Sequence, residues 1–220
     1  MTTAASAGRR TTAQRRRAVL IAVLFLVALP PMLVAMDAMA FHFRNRSNGA
    51  IVSSGLEREY LLYVPDSYDR TRPTPLVISM HGAAMWPAAQ KESSQWNELA
   101  DERGFIVVYP SGEVGDGPRS WNVHPGNGLT RDVRYISDLI DTLSATYNID
   151  SARIYANGLS NGGGMSFVLS CTLSDRIAAV GTVVPAQTLP FSWCKDSTSV
   201  PMISFYGTAD PVVAYQGGGS

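Results

Sequence analysis

The sequence predicts an α/β fold, a mostly parallel sheet with helices on both faces. Three observations carry this. Short, predominantly apolar runs at 76–80 (LVISM) and 105–109 (FIVVY) have the length and character of strands buried on both faces. They alternate with segments of helical period, clearest over 131–147. The pentapeptide Gly158-Leu159-Ser160-Asn161-Gly162 stands between a strand-like and a helix-like segment.

Before the first strand lies an export address. Residues 1–17 are polar and basic, 18–29 (AVLIAVLFLVAL) are wholly apolar, and Pro30 and Pro31 precede a second apolar stretch ending at Met36. Ala38-Met39-Ala40 has the small-x-small form that signal peptidase accepts. Residues 1–40 therefore read as a signal peptide, with an uncleaved membrane anchor over 18–36 as the rival; either way the arginines stay inside and the body is exported. Residues 41–54 read as a linker and 55–220 as the folded domain. The chain of 220 residues has 45% hydrophobic and 16% charged residues, which excludes wholesale disorder. The formal charge of zero hides an asymmetry: Arg9, Arg10, Arg15, Arg16 and Arg17 face no acid nearby, so the body is net acidic and a poor partner for nucleic acid.

Within the body, 56–64 (LEREYLLYV) alternates partially and ends at Pro65, as a strand does. The run 76–80 is a buried strand entering a His81-Gly82 loop. Residues 93–103 suit a helix, and 105–109 form a strand stopped by Pro110. Residues 111–130, rich in glycine and carrying Trp121 and His124, read as a long surface loop, a common home for function. Val133, Ile136, Ile140, Leu143 and Tyr147 mark the apolar stripe of a helix over 131–147, with Asp132, Asp138 and Asp141 mostly on its other face. A strand at 153–157, a helix at 162–172, and strands at 178–184 and 201–206 complete the alternation. In such sheets, sites form at the carboxyl ends of the strands.

The chemistry centres on Ser160. In G-x-S-x-G the serine occupies a strained turn with its hydroxyl exposed above the sheet, and the flanking glycines let strand and helix approach closely. The following helix N-terminus adds positive potential for an oxyanion. The N–H of Asn161 is one candidate oxyanion donor; Ala83, after His81-Gly82, is the other, with His81 orienting that loop. Asp210, in Gly207-Thr208-Ala209-Asp210 after the strand 201–206, is the candidate triad acid, against the alternative of a turn aspartate. Trp121 and His124, with His81, are candidate pocket residues. Cys171 and Cys194 are the only cysteines; in an exported domain they read as one disulfide, against two buried thiols. No CxxC or His/Cys cluster points to a metal, and no cofactor is implied.

Taken together, His81-Gly82 after a strand, the run 104–110 (GFIVVYP), Arg131-Asp132-Val133 opening a helix, Gly158-Leu159-Ser160-Asn161-Gly162-Gly163, the two cysteines, and Gly207-Thr208-Ala209-Asp210 before Gln216-Gly217-Gly218 resemble the secreted esterases grouped with poly(3-hydroxybutyrate) depolymerases, feruloyl esterases and acetylxylan esterases. The resemblance runs from about residue 55 to the last residue. It implies an α/β-hydrolase fold and carboxylic-ester hydrolysis through an acyl-serine, with Ser160 as nucleophile and Asp210 as acid. It also supports the Cys171–Cys194 pairing.

One member of the family pattern is missing. The triad histidine is expected after Asp210, beyond a further strand, yet no histidine follows His124. The sequence thus reads as C-terminally incomplete, lacking the last strand and helix, with an exposed hydrophobic sheet edge and an impaired catalytic machine. His42 lies beside the export segment, and His124 is the surrogate base to consider. The leading reading is an exported serine esterase whose partner is an ester substrate, with polymeric and plant-cell-wall esters as the candidates and membrane contact only through the N-terminal segment. A serine peptidase of the same fold, and a non-catalytic membrane-tethered binding module, are the alternatives.

Overall fold

The computed structural model describes Pro31 and residues 47–114, 118–194 and 198–217. The expected signal or anchor segment lies outside the described residues; among them, no helix is long and apolar enough to cross a membrane. Met1–Arg44 and Asn45–Ser220 form separate compact units, and the architecture here is that of the second.

Seven strands form one sheet in the order β1-β2-β4-β3-β5-β6-β7. In chain order the elements are β1 (Gly49–Ser53), β2 (Leu56–Tyr63), β3 (Thr74–Met80), α1 (Pro87–Ser94), α2 (Trp96–Arg103), β4 (Ile106–Pro110), α3 (Asn127–Thr146), β5 (Ile149–Leu159), α4 (Asn161–Thr172), β6 (Ala179–Val183) and β7 (Met202–Phe205). β1 pairs antiparallel with β2, and β2 with β4. The other pairings, β4 with β3, β3 with β5, β5 with β6 and β6 with β7, are parallel. The expected α/β class and mostly parallel sheet are therefore present.

Side-chain alternation along the central strands distributes the core to both faces. Leu76, Ile78 and Met80 of β3, with Ile106 and Val108 of β4, join Ile136, Leu139, Ile140 and Leu143 of α3 and Met165, Phe167 and Leu169 of α4 in the larger cluster. Val77, Val107 and Tyr109 point the other way and pack with Ala100 of α2 and Phe105. Each fully buried Leu, Ile or Phe contributes about 1.5–3 kcal/mol relative to exposure. α4 is buried from Gly162 to Ser170 on every side, as suits a helix clamped in the core.

Three expectations are corrected. Residues 49–53, assigned to a linker, form β1, joined to β2 through Ser54 and Gly55, both left-handed (φ 52° and 77°), in the manner of a two-residue hairpin turn. The single helix over 93–103 is two helices, α1 and α2, broken at Gln95 with φ 54°. α3 begins at Asn127, inside the expected loop, and Asp132 faces inward at 0% exposure.

The second face is only partly covered. α1 and α2 shield the β4–β3 side, whereas an open groove of about 680 Å³ lies along β5–β7, lined in part by Trp96, Phe105, Tyr155, Gly181, Ile203 and Phe205. β7 ends the sheet, and Ile203 and Phe205 are 57% and 56% exposed. Ser160, Asn161, Ala83 and Asp210 do not line this groove, but Gly158 and Leu159 do, so it runs up to the turn that carries Ser160.

Candidate active site

Because β3, β5, β6 and β7 run parallel, the loops that follow them gather at one edge of the sheet. His81-Gly82-Ala83 follows β3, Ser160 follows β5, and Asp210 follows β7. The sequence-predicted residues thus reach a common edge from three strands.

Ser160 has φ 52° and ψ −116°, a conformation that costs a non-glycine residue roughly 1–3 kcal/mol. Three backbone bonds hold it there. Its N–H donates to the Val183 carbonyl at 2.9 Å, and its own carbonyl accepts from the Gly164 N–H at 3.0 Å and the Ala186 N–H at 2.9 Å. The elbow's glycines are required by space: a Cβ at Gly158 would overlap the Gly162 carbonyl, and one at Gly162 would overlap the Met80 and His81 carbonyl oxygens. Gly162→Ala is expected to lower stability by about 1–3 kcal/mol, as overpacking does; chemical denaturation checks this, and an unchanged midpoint would remove close approach as the reason for the glycine.

Two N–H groups flank the serine. Asn161 opens α4, where backbone donors lack helical acceptors. Across from it, the Ala84 N–H donates to the Arg119 carbonyl at 2.8 Å and the Met85 N–H to the Gly82 carbonyl at 3.3 Å, while the Ala83 N–H has no acceptor among the described residues. A Cβ added to Gly82 would lie 3.6 Å from Ser160 Cβ, so the turn abuts the serine.

His81 is fully buried, and both of its ring nitrogens are engaged. Nδ1 donates to the Gly82 carbonyl at 2.7 Å, and Nε2 accepts from the Gly112 N–H at 2.9 Å. Burial pushes its pKa down to about 4, helped by nearby Arg119, so it is neutral at pH 7. The sign of the resulting pH effect is fixed. On acidification the unfolded chain protonates first, near pH 6.5, so stability is full above that pH and falls until the folded histidine also protonates near pH 4. The loss approaches roughly 3 kcal/mol. His81→Gln should flatten that acid limb in urea midpoints measured from pH 7 to 4; an unaltered slope would assign the acid sensitivity to other groups.

The pocket expectation is corrected for two of its three residues. His81 is inside, as is Trp121 at 2% exposure, its indole N–H donating to the His81 carbonyl at 3.0 Å. Their polar groups tie loops together rather than face a substrate. His124 is exposed. Asp210 Oδ1 accepts from the Val212 and Val213 N–H groups at 2.8 and 2.9 Å. The Val213 and Val212 N–H groups hold its carboxyl below the usual carboxylate range. That is the turn geometry weighed from sequence, and it leaves Oδ2 without a hydrogen-bond partner among the described residues.

A family profile described as esterase PHB depolymerase matches residues 58–192. The chain belongs to that esterase family. Among curated relatives, a bifunctional acetylxylan esterase/xylanase of Neocallimastix patriciarum is 33% identical over 74% of this chain and 23% of its own length. Feruloyl esterase B of Piromyces equi is 34% identical over 73% of this chain and 31% of its own. The chain thus spans less than a third of these two relatives. An acetyl xylan esterase structure from Aspergillus awamori shares the fold at TM-score 0.64 and 19% identity, covering 76% of this chain and 74% of that one.

Two features of this esterase chain secure the loops around the elbow. Buried Asp132, on α3, pairs with Arg58 of β2 at 2.7 Å, and its other oxygen accepts from the Asn122 backbone and side-chain N–H groups, both at 2.8 Å. Sequence reasoning placed Asp132 mostly with the solvent face. Its spacing from Tyr135, Ile136 and Leu139, all buried, was the available signal. The Cys171–Cys194 disulfide is formed, with Cα atoms 4.9 Å apart, and ties the end of α4 to the segment after β6. For its 23-residue separation, loop closure predicts about 3 kcal/mol. Replacing both cysteines with serine should lower the unfolding free energy by that amount, and a loss below about 1 kcal/mol would contradict the loop-closure argument.

Proposed function

We propose that this chain carries the esterase domain of an exported carboxylic ester hydrolase acting through an acyl-Ser160 intermediate. The observation that carries the reading is Ser160 at φ 52° on the β5–α4 turn, half-buried, with an N–H on either side directed by the start of α4 and by the 81–84 turn. The Ser160 hydroxyl attacks the ester carbonyl while a base takes its proton. The carbonyl oxygen becomes an oxyanion held by the N–H groups of Ala83 and Asn161. Collapse breaks the bond to the alcohol, which leaves with the proton, and water then hydrolyses the acyl-serine. Asp210 Oδ2 is the acid that orients an imidazole.

The substrate class follows from the relatives' names, which include acetylxylan and feruloyl esterases and a poly(3-hydroxyalkanoate) depolymerase of Paucimonas lemoignei. Acyl groups on cell-wall carbohydrate or hydroxyalkanoate esters are the proposed substrates. Export through residues 1–40 fits that polymeric, extracellular class, with cleavage after Ala40 or retention of 18–36 as an anchor read by the N-terminal mass of the protein made in a secreting host.

A fluorophosphonate probe tests the reading. It should add one phosphonyl group to the folded chain, mapped to the Ser160 peptide and absent in Ser160→Ala. A folded chain that resists the probe both alone and with imidazole added as base would overturn the nucleophilic serine. Chromogenic ester against peptide substrates separates an esterase from a peptidase.

A further inference from the structure

We infer that Trp121 is a positioning residue that fixes the gap between the two oxyanion donors, an inference that rests on the reading of Ser160 as the nucleophile. The two donors belong to separate pieces of chain, the 81–84 turn after β3 and the first residue of α4. Nothing in a parallel sheet alone sets their separation, since each loop leaves its own strand. One segment, 119–121, touches both.

On the elbow side, the Trp121 backbone N–H donates to Asn161 Oδ1 at 2.6 Å, and Asn161 Nδ2 donates back to the Trp121 carbonyl at 3.0 Å. This pair fixes the side chain of the residue whose backbone N–H is one donor. On the other side, the Trp121 indole donates to the His81 carbonyl at 3.0 Å, and the Arg119 carbonyl accepts the Ala84 N–H at 2.8 Å. The segment therefore grips the 81–84 turn at both ends, and Ala83, between them, keeps its N–H without an acceptor among the described residues. Ala84 is held in a left-handed conformation, φ 59°, by the same grip. The His81 ring completes the frame, its centroid 5.4 Å from that of Trp121 with the planes tilted by 40°, and is bonded to the Gly112 N–H.

The frame is short and built on two buried rings, His81 and Trp121, so it resists the small displacements that oxyanion catalysis does not tolerate. Misplacing a reacting group by about 1 Å costs on the order of a hundredfold in rate, and losing an oxyanion donor costs about a hundred- to a thousandfold. Trp121→Phe retains the ring and removes the one indole donor. Asn161→Ala removes the elbow arm and leaves its backbone N–H in place.

The test compares parent, Trp121→Phe and Asn161→Ala in full chains, with Ser160→Ala as the blank. For p-nitrophenyl acetate, either variant should lower Ser160-dependent kcat by about tenfold or more, with KM within about twofold. A merely structural tryptophan would lower the melting temperature and leave kcat at 25 °C unchanged, and that result overturns the inference. Amide hydrogen exchange reads the frame without any activity. Trp121→Phe should speed exchange at Ala84 and Gly112 by about tenfold or more while β3 and β5 keep the parent's protection. Unchanged exchange at both amides overturns the inference. A parent chain lacking Ser160-dependent turnover both alone and with imidazole added refutes the proposed function and leaves exchange to decide the frame. If Trp121→Phe does not fold, Asn161→Ala carries both measurements.

Discussion

Asp132→Ala should lower the unfolding free energy by about 3–5 kcal/mol, the range for removing one partner of a buried ion pair. Asp132 is 0% exposed and Arg58 5%, and their contact is 2.7 Å. The guanidinium lies 4.1 Å above the Tyr135 ring and also donates to the Ser111 carbonyl, so it has no route to water when its carboxylate is removed. The alanine also orphans the Asn122 backbone N–H and leaves the Asn122 side-chain amide only the Glu113 carboxylate at 3.4 Å. The double change Arg58→Met with Asp132→Leu removes the charge as well as its partner and should recover a large part of the loss, because the penalty is mostly that of an unpaired buried charge. Urea denaturation of the parent, the single and the double variant measures both effects. A single-variant loss below about 1 kcal/mol would mean that water reaches Arg58. The consequence extends to the site, since Asn122 adjoins Trp121 and the loop they share reaches the elbow through Asn161.

The same pair marks where sequence reading ends. The strands β3 and β4 were legible because burial on both faces leaves nearly unbroken apolar runs. The elbow was legible because its glycines are demanded locally, by the crowding of Gly158 against Gly162. Arg58 and Asp132 are 74 residues apart, and neither carries a local sign of its partner. Asp132 sits at helical spacing from buried residues, but a charged residue in that stripe is indistinguishable from a misaligned surface position until the other half of the pair is seen. β1 was missed because its five residues GAIVS are too short and too small to alternate clearly, although Ser54-Gly55 after them is a turn signal. The break at Gln95 is set by its left-handed backbone, which nothing in that residue's type announces. Trp121 and His81 look from sequence like pocket residues because aromatic and imidazole side chains in loops near strand ends often are. Here the Trp121 indole bonds the His81 carbonyl, and both rings lie in the interior.

Imidazole added to the chain should raise its Ser160-dependent ester turnover by about tenfold or more. Of the three histidines, His81 has both nitrogens bonded and is held neutral by burial, His124 is exposed, and His42 lies outside the described residues. Ser160 and Asp210 thus have no free buried imidazole between them among the described residues. A serine without its base retains only the catalysis of the oxyanion hole and binding, on the order of a thousand- to ten-thousandfold over water and far below a complete triad. A small imidazole entering beside the half-buried serine can take the hydroxyl proton and pass it to the departing alcohol. The gain should follow the neutral form of imidazole, rising with pH through about 6.5–7. Asp210→Asn should weaken the gain, because a carboxylate with Oδ2 unpartnered can orient the imidazole and stabilise its charge, whereas an amide loses the charge. Ser160→Ala supplies the blank for direct hydrolysis by imidazole. Two outcomes would sink the expectation. One is a rate above that blank that does not change with imidazole concentration. The other is a fast rate without imidazole that disappears in His124→Ala, which would make the exposed loop histidine the base and require the 119–124 segment to close over Ser160 during turnover.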